Sequence, residues 1–356
     1  MGKKSGKNNK FHTMRIVYIT NNVDPKNGWG RYASDLISGM RKMGNEVQVL
    51  ECTGMSLPGS VFKARSLIRN SDIVHALDGY PHAIIAALAN LGLHKKMVIT
   101  VIGTYSVAPL YSRLLGFLLK FVYRRADKII SISNYTKNEI FKKINLGKVE
   151  VVNPGIDFDK FYAPRLTTDS KFILSVGALK NRKGYQVSIP AFAETKKTIP
   201  DLTYKIVGDQ SNAGYLEHLK ELTKKFKIED SVEFIKNISD KELRKLYQEA
   251  SLFVLTSVNE GHHFEGFGLV FLEAAAAGLP VIGTLGNGIE DAVKDGYNGF
   301  LIPQKDVKKT IEAQIAVLNK HDLWKSMSQA SYQWAKEHDT DSASKKYQLV
   351  YSEIIK

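Results

Sequence analysis

At 356 residues the chain is too long for one ordinary hydrophobic core and suits two domains. Its 44% hydrophobic and 24% charged residues are those of a soluble globular protein, and no stretch reaches the roughly eighteen apolar residues of a membrane-spanning helix. The formal charge of +14 points to anionic partners (nucleotide phosphates, anionic lipid headgroups or nucleic acid), while the lone Cys52 excludes an intramolecular disulfide and a cysteine-based zinc site and fits a reducing cytoplasm.

Residues 1–13 are basic with no apolar segment behind them, so they read as a disordered tail rather than a signal peptide, and Gly6 breaks the myristoylation pattern. Residues 15–20 (RIVYIT) are a first strand, 21–30 a loop ending in Gly28-Trp29-Gly30, 31–43 a helix and 46–50 a second strand. Such a unit opens a doubly wound parallel sheet and places Gly28 and Gly30 at the carboxyl end of its first strand, where these sheets bind ligands; a plain flexible turn is the alternative. The alternation continues with helices at 61–69 and 80–91 and strands at 73–76 and 97–102. Residues 112–128 (SRLLGFLLKFVYRRADK) have two readings: a buried helix with basic ends, or a basic, apolar surface that rests on an anionic membrane. A strand at 128–133, a helix at 134–144 and a strand at 149–152 follow, and Asn153-Pro154-Gly155 breaks the pattern.

Polar residues 165–170 read as a linker to a second series. Its strands are expected at 172–176, 203–207, 232–235 and 252–255, and its helices at 185–198, 215–226 and 241–249, the last capped by Ser239. After a strand at 281–284 come a helix from 289 to about 294, a strand at 300–302 and a helical tail, 307–356, with one break near 338–341. The chain thus divides into residues 14–165 and 170–340, two copies of one α/β architecture.

The richest stretch is EGFGLVFLE, Glu265 to Glu273. A glycine loop leads into a helix from Leu269 to Ala277, stopped by Gly278 and Pro280. The free N–H groups and positive dipole end of that helix form an anion site. Two carboxylates eight residues apart address two parts of an extended ligand.

Six segments, in order, resemble retaining, nucleotide-sugar-dependent glycosyltransferases of family 4 with the GT-B fold: VVNPGIDFDKF (151–161), SVGALKNRKG (175–184), YKIVGDQ (204–210), VEFIKNISDKELRKLYQEASLFVLTS (232–257), FEGFGLVFLEAAAAGLPVIGT (264–284) and NGIEDAVKDGYNGFLI (287–302). The resemblance implies two Rossmann-like, doubly wound domains facing across a cleft. The first binds the acceptor, the second the donor, and a C-terminal helix (341–356) crosses back to the first. The domains would close by a hinge near residue 165. It implies that Glu265 lies near the transferred sugar, that backbone N–H groups of Gly266, Phe267, Gly268 and Leu269 hold sugar hydroxyls and diphosphate oxygens, and that Glu273 binds the ribose. Arg182 and Lys183 would neutralise the leaving diphosphate of a UDP- or GDP-sugar, with Gly28 and Gly30 across the cleft, and the nucleobase would sit near residues 236–238. No metal and no other cofactor is expected; Asp157-Phe158-Asp159 matches a D-x-D metal motif but lies in the interdomain passage.

Two family positions differ here. Ala178 stands where many members carry Arg, leaving Lys180 or Arg182 to compensate, and Ile102 stands where many carry His, leaving His75 or His82 as substitutes. His262 and His263 are candidates for the acceptor or sugar pocket. The reading is a hexosyltransferase serving cell-surface polysaccharide or glycolipid synthesis, with a glycan or lipid-linked acceptor, cytoplasmic or peripheral on the inner membrane face. A transferase for a soluble small acceptor is the alternative. A nucleic-acid-binding protein is disfavoured, because the basic residues are spread along helices with no nucleic-acid motif.

Overall fold

The computed structural model describes residues 13–163 and 171–356. The expected tail (1–13, save Thr13), the linker at 165–170 and the hinge near 165 lie outside the described residues. Two six-stranded sheets, parallel throughout, form the scaffold. The first comprises β1 (Arg15–Thr20), β2 (Glu46–Glu51), β3 (Ile73–Leu77), β4 (Lys96–Val101), β5 (Lys128–Ser131) and β6 (Val149–Val151), in the order β2-β1-β3-β4-β5-β6. The second comprises β7 (Phe172–Val176), β8 (Thr203–Val207), β9 (Val232–Ile235), β10 (Leu252–Val254), β11 (Val281–Thr284) and β12 (Gly299–Ile302), in the order β12-β11-β10-β7-β8-β9. Strand order reverses between β1 and β3 and between β7 and β10. Each reversal opens a crevice at the carboxyl ends of the strands.

The central strands are buried along their whole length, as in β3 (IVHAL) and β7 (FILSV), because helices cover both faces of a parallel sheet. Helix Gly28–Lys42 shows how the cover forms: Tyr32, Ala33, Leu36, Ile37 and Met40 share one stripe and are buried. Its start is three residues earlier than the sequence suggests, because the Asn27 side chain accepts the Gly30 N–H and caps it. The helix expected over 80–91 is shorter, Ile84–Ala89, behind a tight turn at Gly79–Ala83 that contains Pro81. The helix expected from 289 is a single turn, Gly288–Asp291, whose Asp291 carboxylate is held across the interface by Asn134 and Asn153. The tail has two breaks, giving helices Val307–Asn319, His321–Glu337 and Thr340–Ile355, since Lys320 takes an extended conformation between the first two.

Helix Thr340–Ile355 returns to the first unit. Tyr347 hydrogen-bonds Tyr32 at 2.5 Å, Tyr351 hydrogen-bonds Tyr18 at 2.8 Å, and Asn45 Nδ2 donates to Gln348 Oε1 at 2.8 Å. The outgoing and returning segments between the units touch: Ile156 N donates to the His338 carbonyl at 3.0 Å, and Thr340 N to the Ile156 carbonyl at 2.8 Å.

Helix Arg113–Arg125 has one buried and one exposed face. Gly116, Leu119, Val122 and Tyr123 are buried, but Leu114 (79%), Phe117 (76%) and Phe121 (52%) stand exposed beside Arg113, Lys120, Arg124 and Arg125. It is not a wholly buried helix.

Candidate functional site

The site grows from the crevice between β7 and β10. The loop after β7 turns through Asn181–Lys183, and the loop after β10 runs on to Gly268, which caps helix Leu269–Ala276. The Val258 N–H donates to the Arg182 carbonyl at 2.8 Å, and Thr256 Oγ1 donates to the Gly184 carbonyl at 2.7 Å, so the two loops are tied together. This brings Glu265 against both cations. Lys183 Nζ donates to its Oε2 at 2.6 Å and Arg182 Nη1 to the same oxygen at 3.0 Å. Burial alone pushes the Glu265 carboxyl upward, but the Lys183 and Arg182 charges and hydrogen bonds outweigh it and bring its pKa down to about 2. Burial in turn lowers the Lys183 ammonium, against the pull of Glu265. A carboxylate and two cations thus meet at the N-terminal end of a helix.

The other unit closes on the same loop. A Cβ at Gly266 would lie 2.2 Å from the Ile102 carbonyl oxygen, so only glycine lets the first unit's backbone approach here. Gly288 N donates to the Glu265 carbonyl at 2.8 Å from the opposite side. Phe267 is buried beneath the loop, and Leu269 opens the helix. Residues 236–238 follow β9 at the sheet edge.

Glu273 sits one to two turns into the helix and is buried, not solvent-facing. Arg31 Nη1 lies 3.2 Å from its Oε1, and Tyr247 donates to its Oε2 at 2.9 Å. Arg31 belongs to the first unit and also reaches Asp240 at 3.5 Å, so this ion pair spans the cleft. Sequence reasoning missed Arg31; its position directly after Gly28-Trp29-Gly30 was the available signal. Gly28 begins the first helix, exposed. Gly30 is buried under the loop after β1, where a Cβ would lie 2.1 Å from the Asp24 carbonyl oxygen.

The histidines separate clearly. His75 is a core residue: its Nδ1 meets Tyr351 at 2.5 Å and its Nε2 meets Thr100 at 2.8 Å, and burial lowers its pKa to about 3. His262 stacks on Tyr111 with centroids 3.4 Å apart, and His263 pairs through its backbone with Glu260. His82 is buried, with no hydrogen-bond partner for either ring nitrogen among the described residues. Ala178 lies in the loop after β7, upstream of the Arg182 and Lys183 that pair with Glu265. Asp157 caps the short helix Phe158–Phe161 by accepting the Lys160 N–H at 3.1 Å.

Residues 158–334 match the group described as "Glycosyl transferases group 1", and residues 54–160 match "Glycosyltransferase Family 4". The chain is 30% identical over 276 residues to an uncharacterized glycosyltransferase of Haemophilus influenzae, covering 76% of this chain and 73% of that protein. The structure is similar to a glycosyltransferase of Rickettsia africae (TM-score 0.82, 20% identity, 97% of this chain and 100% of that one). It is also similar to an Anabaena protein crystallised with UDP and glucose (TM-score 0.79, 18% identity, 95% and 99%). A cation-lined loop–helix site between two doubly wound sheets, together with these matches along both halves, identifies the chain as a glycosyltransferase of the group 1 and family 4 kind, built on the GT-B fold.

Proposed function

We propose that this enzyme moves a hexose-type sugar from a nucleoside-diphosphate sugar (UDP or GDP) to a glycan or lipid-linked acceptor, with retention of anomeric configuration, in cell-surface polysaccharide or glycolipid synthesis. The observation that carries this is the meeting of Arg182, Lys183 and Glu265 at the start of helix Leu269–Ala276. A departing diphosphate is a strong anion, and two cations plus backbone N–H groups of Gly266, Phe267, Gly268 and Leu269 stabilise it electrostatically. That charge also does the work a divalent ion would otherwise do, so the reading is metal-independent. Glu273, fixed by Arg31 and Tyr247, would offer its remaining lone pairs to ribose hydroxyls. Gly28, exposed across the cleft, would let the backbone approach the phosphates; Gly30 does not share that role, because it is packed under the loop after β1 with its N–H held by Asn27.

Glu265 held by two cations is a weak nucleophile, so we favour attack by the acceptor on the face the diphosphate leaves. The acceptor's proton then passes to the diphosphate. Support for a lipid-linked acceptor is the exposed apolar and basic face of helix Arg113–Arg125, which suits the inner surface of an anionic membrane. No helix among the described residues is long and apolar enough to cross a membrane.

The deciding experiment is release of nucleoside diphosphate from a panel of UDP- and GDP-sugars, with and without a chelator. Wild type should turn over at least one donor in either condition, and Lys183→Ala and Glu265→Ala should each lose about 100-fold or more in kcat. A panel without turnover, combined with nucleotide binding that ignores Glu265→Ala, defeats the proposal.

A further inference from the structure

Glu273 is 3% exposed, so a ribose hydroxyl reaches it only when a group beside it moves. Its two polar partners belong to different units. Tyr247, which donates to Oε2, is fully buried in the second unit and travels with Glu273. Arg31, which faces Oε1, comes from the first helix of the first unit. Its Nε donates to the Pro25 carbonyl at 3.0 Å, which tethers it to the loop after β1. If the halves part, Arg31 leaves with that loop and Glu273 is bared.

The far end of Arg31 is shared. Nη1 lies 3.2 Å from Glu273 Oε1, Nη2 lies 3.5 Å from Asp240 Oδ1, and the guanidinium carbon sits 5.7 Å from the centre of the Phe161 ring. A guanidinium is a rigid fork with donors on more than one side, so it bridges two carboxylates in one pose. The two carboxylates are unequal. Asp240 heads helix Asp240–Glu249, its side chain is 45% exposed, and Lys160 Nζ donates to its Oδ2 at 2.7 Å. Water and Lys160 therefore satisfy Asp240 without Arg31. Glu273 is sealed from water and pairs with no other cation among the described residues, and a buried carboxylate stripped of its cation is strongly disfavoured. An empty site thus holds Arg31 on Glu273. A ribose diol would bring two hydroxyl donors to Glu273, and the guanidinium then has a second anion within reach.

We propose that Arg31 is a plug: it competes with the donor's ribose for Glu273 and yields by moving onto Asp240. This rests on the proposed donor role of Glu273 and adds to it a specificity-setting residue from the opposite unit. Arg31 touches no reacting atom and acts only through Glu273. It sets how strongly the enzyme reads the 2′ and 3′ hydroxyls, because the plugged fraction of molecules subtracts from ribose affinity. A nucleotide without those hydroxyls gains nothing at Glu273 and is indifferent to the plug.

Calorimetry on the full chain tests it, with UDP, GDP and their 2′,3′-dideoxy analogues as probes. Arg31→Gln removes the charge and shortens the side chain. It should tighten binding of whichever ribonucleotide the wild type takes by about threefold or more, and leave the dideoxy analogue within about twofold. Asp240→Asn, at a half-exposed position, removes the charge to which Arg31 yields. It should weaken the same ribonucleotide by about threefold or more, again with the dideoxy analogue within about twofold. A plug requires these opposite signs, whereas damage to the fold would weaken both nucleotides in both variants. The proposal is overturned if Arg31→Gln weakens ribonucleotide binding, if either variant leaves the ribonucleotide unmoved, or if the dideoxy analogue shifts as much as the ribonucleotide. A wild type that binds neither UDP nor GDP sinks the donor reading and the plug together, whereas nucleotide binding with an unmoved ribose preference sinks the plug alone.

Discussion

One oxygen of Glu265 takes both Lys183 and Arg182, and the sign of its pKa shift fixes a pH dependence. Its folded pKa, about 2, lies below its ordinary 4.5. The ionised form therefore contributes stability above pH 4.5, and that contribution is lost as pH falls from 4.5 towards 2. Glu265→Gln leaves two partly buried cations without their partner, which costs roughly 3 kcal/mol at pH 7. Urea unfolding should show this penalty shrinking at pH 3. A penalty equal at both pH values would refute the assignment. Arg182, Lys183, Glu265 and Glu273 were legible in sequence because each sits in a short local motif. Arg31 against Glu273 was not, since nothing local links the first helix of one sheet to the helix behind another. His82 was legible only as a stand-in for an expected histidine, and its missing partners emerge only from burial.

At the scale of elements, helix Arg113–Arg125 shows where periodicity stops informing. Its apolar residues surround the axis, so the sequence leaves open which of them the sheet covers. Packing settles it, burying Leu119, Val122 and Tyr123 and leaving Leu114, Phe117 and Phe121 in the open between arginines and a lysine. Phe117→Asp with Phe121→Asp should lower binding to anionic vesicles at low salt several-fold, without changing nucleotide affinity. Recovery in the soluble fraction that is equal with and without vesicles, for wild type as for the variant, would dismiss a membrane role. The inner strands were the most readable elements, because both faces are covered and they are short, mostly aliphatic runs bounded by turns. Helix ends were less so: Asn27 caps through its side chain from within what reads as a loop, and Lys320 breaks the tail by an extended backbone that composition does not reveal.

For the whole molecule, the repeated strand–helix alternation made two doubly wound sheets readable, whereas the contacts between them were not. The returning helix depends on tyrosine hydroxyls, Tyr347 on Tyr32 and Tyr351 on Tyr18, that meet only once both sheets are built. The two connecting segments meet at Gly155, where a Cβ would lie 2.4 Å from the Asp339 carbonyl oxygen. Gly155→Ala should push them apart at a cost of about 1–3 kcal/mol in denaturant unfolding. An unchanged midpoint would show that the connection has slack.

That junction also constrains motion. Two segments hydrogen-bonded side by side resist twisting, yet flex together at the line they share. Any parting of the halves is then expected to run chiefly as rotation about that line, with little sliding and little swivel. Such a mechanism has close to a single degree of freedom. One distance, measured between a label on each half, would follow the entire trajectory from shut to open, and a single added crosslink far from the axis would freeze it.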